Sequence, residues 1–319
     1  MNKEDLNNTA MRFQIRDEDL LQAIHYYDGV VARRHLKYLF WPDKSWRAME
    51  RRLSLLKANG YIDWPSLEQR KIHPIPEPVV WLGWKGAMVL TGKAGIGINP
   101  PPKINEYHLR KFERELRERG FHWLREPRWI QLKHDLTVTD LRFWVATSLK
   151  EMRNMDLDEW INESMFRFRT DVNEYEIKAS KDNVWIKKRR GVCPDGFFTV
   201  VDKERKEKNL SHTARFLLEV DMATHDNLSF GIEKAAAGAA YVQSHQFRER
   251  FGSNIANWLL ITTGKTRMKN LMKEVRDRVP DSARMFFFTT MDHMPHNNFF
   301  LDPIWRKADG HDQVYLIAR

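Results

Sequence analysis

The chain has 319 residues, of which 42% are hydrophobic and 12% aromatic, and it carries a formal net charge of +10. That is enough apolar material for two ordinary domains, and it excludes disorder throughout. The positive surplus points to a polyanion, and no run approaches the ~18–20 apolar residues that span a bilayer, so nucleic acid is favoured over a membrane.

Residues 1–16 are polar and lack the apolar stretch of a signal peptide, so a cytoplasmic location is expected. The single cysteine, Cys193, can neither staple the fold nor build a Cys-rich zinc site. The first helical pattern opens at Asp17-Glu-Asp-Leu20, with Leu20, Leu21 and Ile24 as its apolar stripe, and breaks at Asp28-Gly29. A second short segment sets Leu36, Leu39 and Phe40 against the basic Arg33, Arg34 and Lys37. Ser45 can cap a third helix in which Trp46, Met49, Leu53 and Leu56 share one face. Arg47, Arg51 and Ser54 fall on another face, with Arg52 beside them, and Asn59-Gly60 ends the helix. Such a helix can pack on one side and offer guanidinium forks to a major groove on the other. The alternative for these arginines is a solvated helix face.

Residues 61–64 read as a strand, residues 65–78 as a polar stretch carrying Arg70, Lys71 and His73, and residues 79–82 as the return strand. Three helices and a hairpin with a basic tip follow the winged-helix plan, which makes Arg70 and Lys71 further DNA-binding candidates. The runs Arg51-Arg-Leu-Ser-Leu-Leu-Lys-Ala-Asn-Gly-Tyr-Ile62 and Trp81-Leu-Gly-Trp-Lys-Gly-Ala-Met-Val-Leu90 resemble the winged-helix region of the replication-relaxation family. Members of that family occur on plasmids and other mobile elements. Residues 91–103, rich in Gly and Pro, read as an extended spacer, and a charged helix is expected over residues 105–119. The expected organisation is therefore a winged helix-turn-helix domain (1–90), a linker with a charged helix (91–130) and an α/β domain (131–319).

In the last part a long helix is expected over residues 137–162, then strands at 165–168, 175–177 and 184–186. Strands follow at Pro194-Asp195 to Val201 and at 215–221. A helix at about 229–250, a strand at 258–262, a basic helix and a strand at 285–289 complete an α/β core. Alternation places Glu219 and Asp221 on one strand face, and Lys234, Gly238 and Tyr241 line one helix face.

Carboxylates at adjacent strand ends can hold Mg²⁺ or Mn²⁺, and a nearby lysine can orient water and stabilise charge on a scissile phosphate. Asp195, Glu219 and Lys234 are candidates for those roles, with Asp221 as an extra ligand. Pro-Asp followed by Glu-x-Asp on the next strand resembles the PD-(D/E)xK nuclease superfamily. That resemblance implies a restriction-endonuclease-like α/β core behind an α+β N-terminal domain. The chain departs from the superfamily pattern in carrying Asp221 where the lysine is usual, and Lys234 would substitute from the helix. A plainer alternative has Asp195 capping a turn and Glu219 and Asp221 paired with arginines.

The motif His134-Asp-Leu, Pro194-Asp195-Gly-Phe, Phe216 to Thr224, the Lys234 to Tyr241 helix and Leu301-Asp-Pro-Ile-Trp-Arg306 resemble the replication-relaxation family in its order, which implies supporting roles for His134 and Tyr241. The cluster Lys187, Lys188, Arg189 and Arg190 beside Pro194-Asp195 reads as a solvated loop or a phosphate-backbone clamp. His293 and His296 are read as an exposed loop, and no phosphate loop for nucleotide hydrolysis is present. The expected function is DNA binding in the replication, maintenance or mobilisation of a plasmid or mobile element. The alternatives are a Mg²⁺-dependent DNA endonuclease or a scaffold for replication or mobilisation proteins. Winged-helix proteins often act as homodimers, though no clear coiled-coil seam is present here.

Overall fold

In the computed structural model, which describes residues 11–169, 173–179, 184–190, 192–224, 227–294, 296–310 and 312–317, the chain divides into two units, Met1–Thr139 and Asp140–Arg319.

In the first unit, helix α1 (Ile15–Tyr26) buries Leu20, Leu21 and Ile24, the stripe its spacing requires. Strand β1 (Val30–Ala32) follows, then α2 (Arg33–Phe40) and α3 (Trp46–Ala58). The Ser45 hydroxyl caps α3 by accepting from the Ala48 amide, and Gly60 leaves the helix at φ +78°, a conformation a Cβ disfavours. Strand β2 (Ile62–Asp63), a short helix α4 (Leu67–Ile72) and strand β3 (Val79–Leu82) come next. The sheet order is β1-β3-β2, antiparallel throughout, with Val31 opposite Val80 and Ile62 opposite Leu82. Two features were not expected: β1 adds a third strand to the hairpin, and α4 sits inside the connection, nucleated by a capping box between Ser66 and Gln69.

Helix α5 (Trp84–Lys93) extends three residues past the expected domain end at 90, and α6 (Glu106–Glu118) is the charged helix. Phe112, Leu116, Phe121 and Trp123 join Leu20, Leu53 and Val80 in one apolar core, so this stretch, expected as part of a linker over 91–130, packs within the first unit. Its outer face carries the i,i+4 pairs Arg110–Glu106 at 2.6 Å and Arg117–Glu113 at 3.0 Å.

Helix α7 (Leu132–Lys150) crosses the boundary between the units. The helix expected over 137–162 ends at Lys150, and residues 155–162 form strand β4 (Met155–Asn162). Sheet pairing decides this: β4 runs antiparallel to β7 (Gly196–Asp202) from Met155 opposite Asp202 to Asn162 opposite Gly196. The strand expected at 165–168 is a helix, α8 (Glu163–Arg169), which turns Phe166 into the core 5.9 Å from the Tyr241 ring. Strands β5 (Asn173–Ala179) and β6 (Val184–Arg190) form a separate hairpin. A short α9 (Lys203–Glu207) leads into β8 (Thr213–Asp221).

The helix expected over 229–250 is segmented. It comprises α10 (Asn227–Phe230), a π turn (Gly231–Ala235), α11 (Ala236–Gln243) and α12 (His245–Phe251). Ser244 is extended, ends α11 and caps α12 by accepting from the Phe247 amide. Strand β9 (Asn257–Thr262), helix α13 (Lys265–Arg278) and strands β10 (Phe286–Thr290), β11 (Trp305–Lys307) and β12 (Gln313–Val314) follow. The seven-stranded sheet has the order β12-β11-β10-β9-β8-β7-β4, with β8, β9 and β10 parallel and the outer neighbours antiparallel. Alternation along the strands sorts the two faces. Phe197 and Leu217 pack with Tyr241, Phe247 and Leu271 under the helices. Phe198 and Phe216 face the other way, where Phe198 lies near Phe299 and Phe216 near Phe300. There the Ser148 hydroxyl of α7 accepts the Phe299 amide. Among the described residues, no helix is long and apolar enough to cross a membrane.

Candidate functional site

On α3, Met49, Leu53 and Leu56 are buried, whereas Trp46, expected to pack with them, is 51% exposed in the first turn. Arg47 and Arg51 are exposed, and Ser54 is half-buried. Arg52 is held inside the unit. Its guanidinium donates from Nε to Asp17 Oδ1 at 2.8 Å and from Nη2 to Asp17 Oδ2, and it reaches the Arg12 carbonyl at 3.0 Å. Asp17 is buried, so this pair ties α3 to α1 and takes Arg52 out of the set of exposed cations. Arg70 and Lys71 are exposed on α4 beside Leu67 and Ile72, which are also exposed. His73 stacks on Trp129, with ring centroids 4.7 Å apart. The first unit thus presents Arg47, Arg51, Arg70 and Lys71 on a helix and on the connection of a β-hairpin.

In the second unit the period of two decides the carboxylates. Asp195 has the parity of Phe197, and Glu219 and Asp221 have that of Leu217, so all three face the helical layer. All three are buried. The Asp195 amide donates to the Leu218 carbonyl at 2.9 Å, and its carboxylate Oδ2 accepts the Val220 amide at 2.7 Å. Its side chain therefore continues the β7–β8 ladder one step beyond the strand. Lys234, carried by the π turn, forms an ion pair with Glu219. Burial alone would lower the Lys234 pKa, but Glu219, then Asp195 and more weakly Glu163, hold it above its ordinary value. Lysine thus stays charged among three carboxylates.

Asp221 is engaged differently. Arg267 donates to both of its oxygens, at 2.8 and 2.9 Å, and the Thr262 hydroxyl donates to Oδ2 at 2.7 Å. Burial would raise the Asp221 pKa, and the bonds from Arg267 and Thr262 outweigh it and hold the group below the usual carboxylate range. The sequence placed Arg267 only in a basic helix, and an arginine in the first turn after a parallel strand was the signal that it could reach a strand-end carboxylate.

A Mg²⁺ ion demands near-octahedral oxygen ligands. Asp195 Oδ2 already accepts the Val220 amide, both Asp221 oxygens face Arg267, and Lys234 lies on Glu219. Among the described residues, no three His, Cys, Asp or Glu side chains are grouped to hold a metal. In this arrangement a Mg²⁺ or Mn²⁺ ion would have to compete with Lys234 for Glu219 and with Arg267 for Asp221.

The other expected residues lie elsewhere. Tyr241 is a core residue, edge-on to Phe247 at 5.3 Å, with its hydroxyl accepting from Arg250 at 3.5 Å. His134 belongs to the first unit and contacts Asp135 at 3.3 Å, which in turn pairs with Arg128 at 2.5 Å. Lys187, Lys188, Arg189 and Arg190 fall on β6, and their side chains lie outside the described residues. Two residues the sequence did not single out sit beside the carboxylates in the fold. Asn162, opposite Gly196, accepts from buried Arg142 at 3.0 Å, and Glu163 begins α8.

Residues 21–255 match the family described as replication-relaxation, which is well over half of the chain. No curated protein matches the chain, and no solved structure matches it.

Proposed function

This chain belongs to the replication-relaxation family, and we propose that it is a DNA-binding protein serving the replication, maintenance or mobilisation of a plasmid or mobile element. On this reading the first unit is a winged helix, with α3 entering the major groove and the β2–β3 connection touching the backbone. The observation that carries it is the exposure of Arg47 and Arg51 on α3, next in sequence to an antiparallel hairpin whose connection exposes Arg70 and Lys71. The net charge of +10 supports the same partner. Double-stranded DNA is the ligand, replication or mobilisation proteins are the protein partners, and a homodimer is the assembly to look for. The test is a gel shift on supercoiled plasmid and duplex fragments across a salt series. Salt-sensitive binding that Arg47→Ala and Arg51→Ala both weaken is expected, and unchanged binding in both variants removes α3 as the reading element.

A second reading, phosphodiester cleavage by a PD-(D/E)xK-type site, is favoured by one observation. Lys234 is positioned against Glu219 and close enough to Asp195 to be influenced by its charge. Incubation with supercoiled plasmid in Mg²⁺ or Mn²⁺, beside an Asp195→Ala/Glu219→Ala double variant, tests it. Nicking by the wild type alone supports cleavage. No nicking, with binding retained, leaves a DNA-binding protein on a nuclease-like fold.

A further inference from the structure

The corner between α2 and α3 is exposed and held in place at once. Residues 42–48 are all exposed, Trp46 and Arg47 among them. The backbone beneath them is fixed by several contacts. Lys37 on α2 donates from Nζ to the Trp41 and Pro42 carbonyls, at 2.6 and 3.0 Å. Trp41 itself is buried, with the Arg16 guanidinium 4.7 Å from its ring centroid. The Lys44 amide donates to the Trp41 carbonyl at 3.2 Å, and the Ser45 cap sets where α3 begins. Side chains on this corner are therefore presented by a backbone with little freedom left to lose on binding.

Trp46 is the large apolar residue of the corner that the core does not use. It is 51% exposed, although Met49 and Leu53, three and seven positions on, are fully buried. Helical side chains tilt towards the N-terminus, so from the first turn the indole projects past the start of α3 instead of over a preceding turn. The charges around it select the partner. Lys44, Arg47 and Arg51 are exposed, and the first turn of α3 holds no acidic residue. Glu50, one turn further along the Trp46 side of the helix, is neutralised by Arg33 at 2.6 Å. An apolar ring set among cations suits a polyanion that also displays apolar groups. The major groove of DNA is such a surface, and the apolar group it displays is the C5-methyl of thymine.

We propose that Trp46 is a specificity-determining residue that packs its indole on a thymine methyl group in the major groove, beside the contacts made by Arg47. The proposal rests on the reading of α3 as the helix that enters DNA. Arginine forks recognise guanine or phosphate, so Arg47 and Arg51 leave A·T pairs unread. Trp46 supplies that part of the recognition, because the methyl group tells A·T from T·A and from both G·C orientations.

The experiment selects duplexes from a random-sequence pool with the full wild-type chain and with Trp46→Ala. The duplex selected by the wild type is then measured by fluorescence anisotropy with thymine, and with deoxyuridine placed at each selected thymine in turn. Uracil pairs as thymine does and lacks only the methyl. The wild type should select a thymine at one position and bind about fourfold more weakly when that base becomes uracil. Trp46→Ala should bind the thymine duplex about tenfold more weakly, accept any base at that position and no longer distinguish thymine from uracil, with the rest of the selected sequence unchanged. Trp46→Phe should restore part of the discrimination, and the unfolding midpoint should stay put in both variants. Equal thymine and uracil affinities for the wild type at every position, or an unchanged selection by Trp46→Ala, overturns the proposal. So does a Trp46→Ala variant that changes from dimer to monomer in sedimentation while selecting the same DNA, which assigns the indole to a contact between copies. Arg47→Ala and Arg51→Ala are measured on the same duplex. Binding that both arginine variants weaken, without thymine discrimination, removes Trp46 as a reader and leaves α3 in the groove, whereas binding indifferent to both arginines removes the reading of α3 and the proposal with it.

Discussion

Arg267 grips Asp221 with two parallel bonds, Nε to Oδ2 at 2.8 Å and Nη2 to Oδ1 at 2.9 Å, and both side chains are largely buried. A planar fork meeting a carboxylate in this way is specific to arginine. Arg267→Ala strands a buried charge and should cost about 3 kcal/mol of unfolding free energy, measured by urea denaturation, with Arg267→Lys recovering only part of it. Because the Asp221 pKa is lowered by folding, the contribution is complete above the unfolded value of ~3.9 and is lost as pH falls through the folded value. The stability gap between wild type and Arg267→Ala should therefore hold from pH 8 to 5 and close in stronger acid.

The arginines of α3 separate into two classes. Arg47→Ala and Arg51→Ala should weaken DNA binding, by ~1–3 kcal/mol if either reads a base, with little change in unfolding temperature. Arg52→Ala should do the reverse. It leaves buried Asp17 without its partner and should lower stability by about 3 kcal/mol, read by urea denaturation at neutral pH.

His25 stacks on Phe121 with centroids 4.5 Å apart, and burial, helped by His122, pushes its pKa down to about 4 from 6.5. The native state resists the proton that the unfolded chain accepts. Stability should fall as pH drops from 6.5 towards 4, by roughly 2–3 kcal/mol over the range, and level off below it. His25→Gln should remove most of that slope in urea titrations at pH 7.5, 5.5 and 4.5.

Gly238 lies flat on the indole of Trp258, where an added Cβ would come within 2.6 Å of the ring. The ring belongs to β9 in the middle of the sheet and cannot give way cheaply. Gly238→Ala should destabilise the second unit by ~1–3 kcal/mol, seen as a lower unfolding midpoint with DNA binding at α3 retained at low temperature.

Local pattern alone was enough for much of this protein. The stripe Leu20, Leu21 and Ile24, the Ser45 cap, the Gly60 exit and the alternation through Leu217, Glu219 and Asp221 each follow from the backbone period or from one residue's own conformational preference. Those are properties of a few neighbouring positions, so they are legible in a sequence, and so was the family, from several short motifs in order. Where two elements compete for the same residues, the sequence misled. Residues 155–162 continue a helical pattern but lie in β4, because β7 offers a full ladder of partners that no neighbouring residue reveals. The same limit applied to the charges. Arg52 and Arg51 are adjacent and chemically identical, yet one is held by buried Asp17, 35 positions away, and the other is exposed. Asp221 was equally open as a metal ligand or an ion-pair partner until the first turn of α13 brought Arg267 to it. Pairing between distant segments, and the desolvation that comes with it, decides what a charged side chain does, and only the tertiary structure contains that pairing.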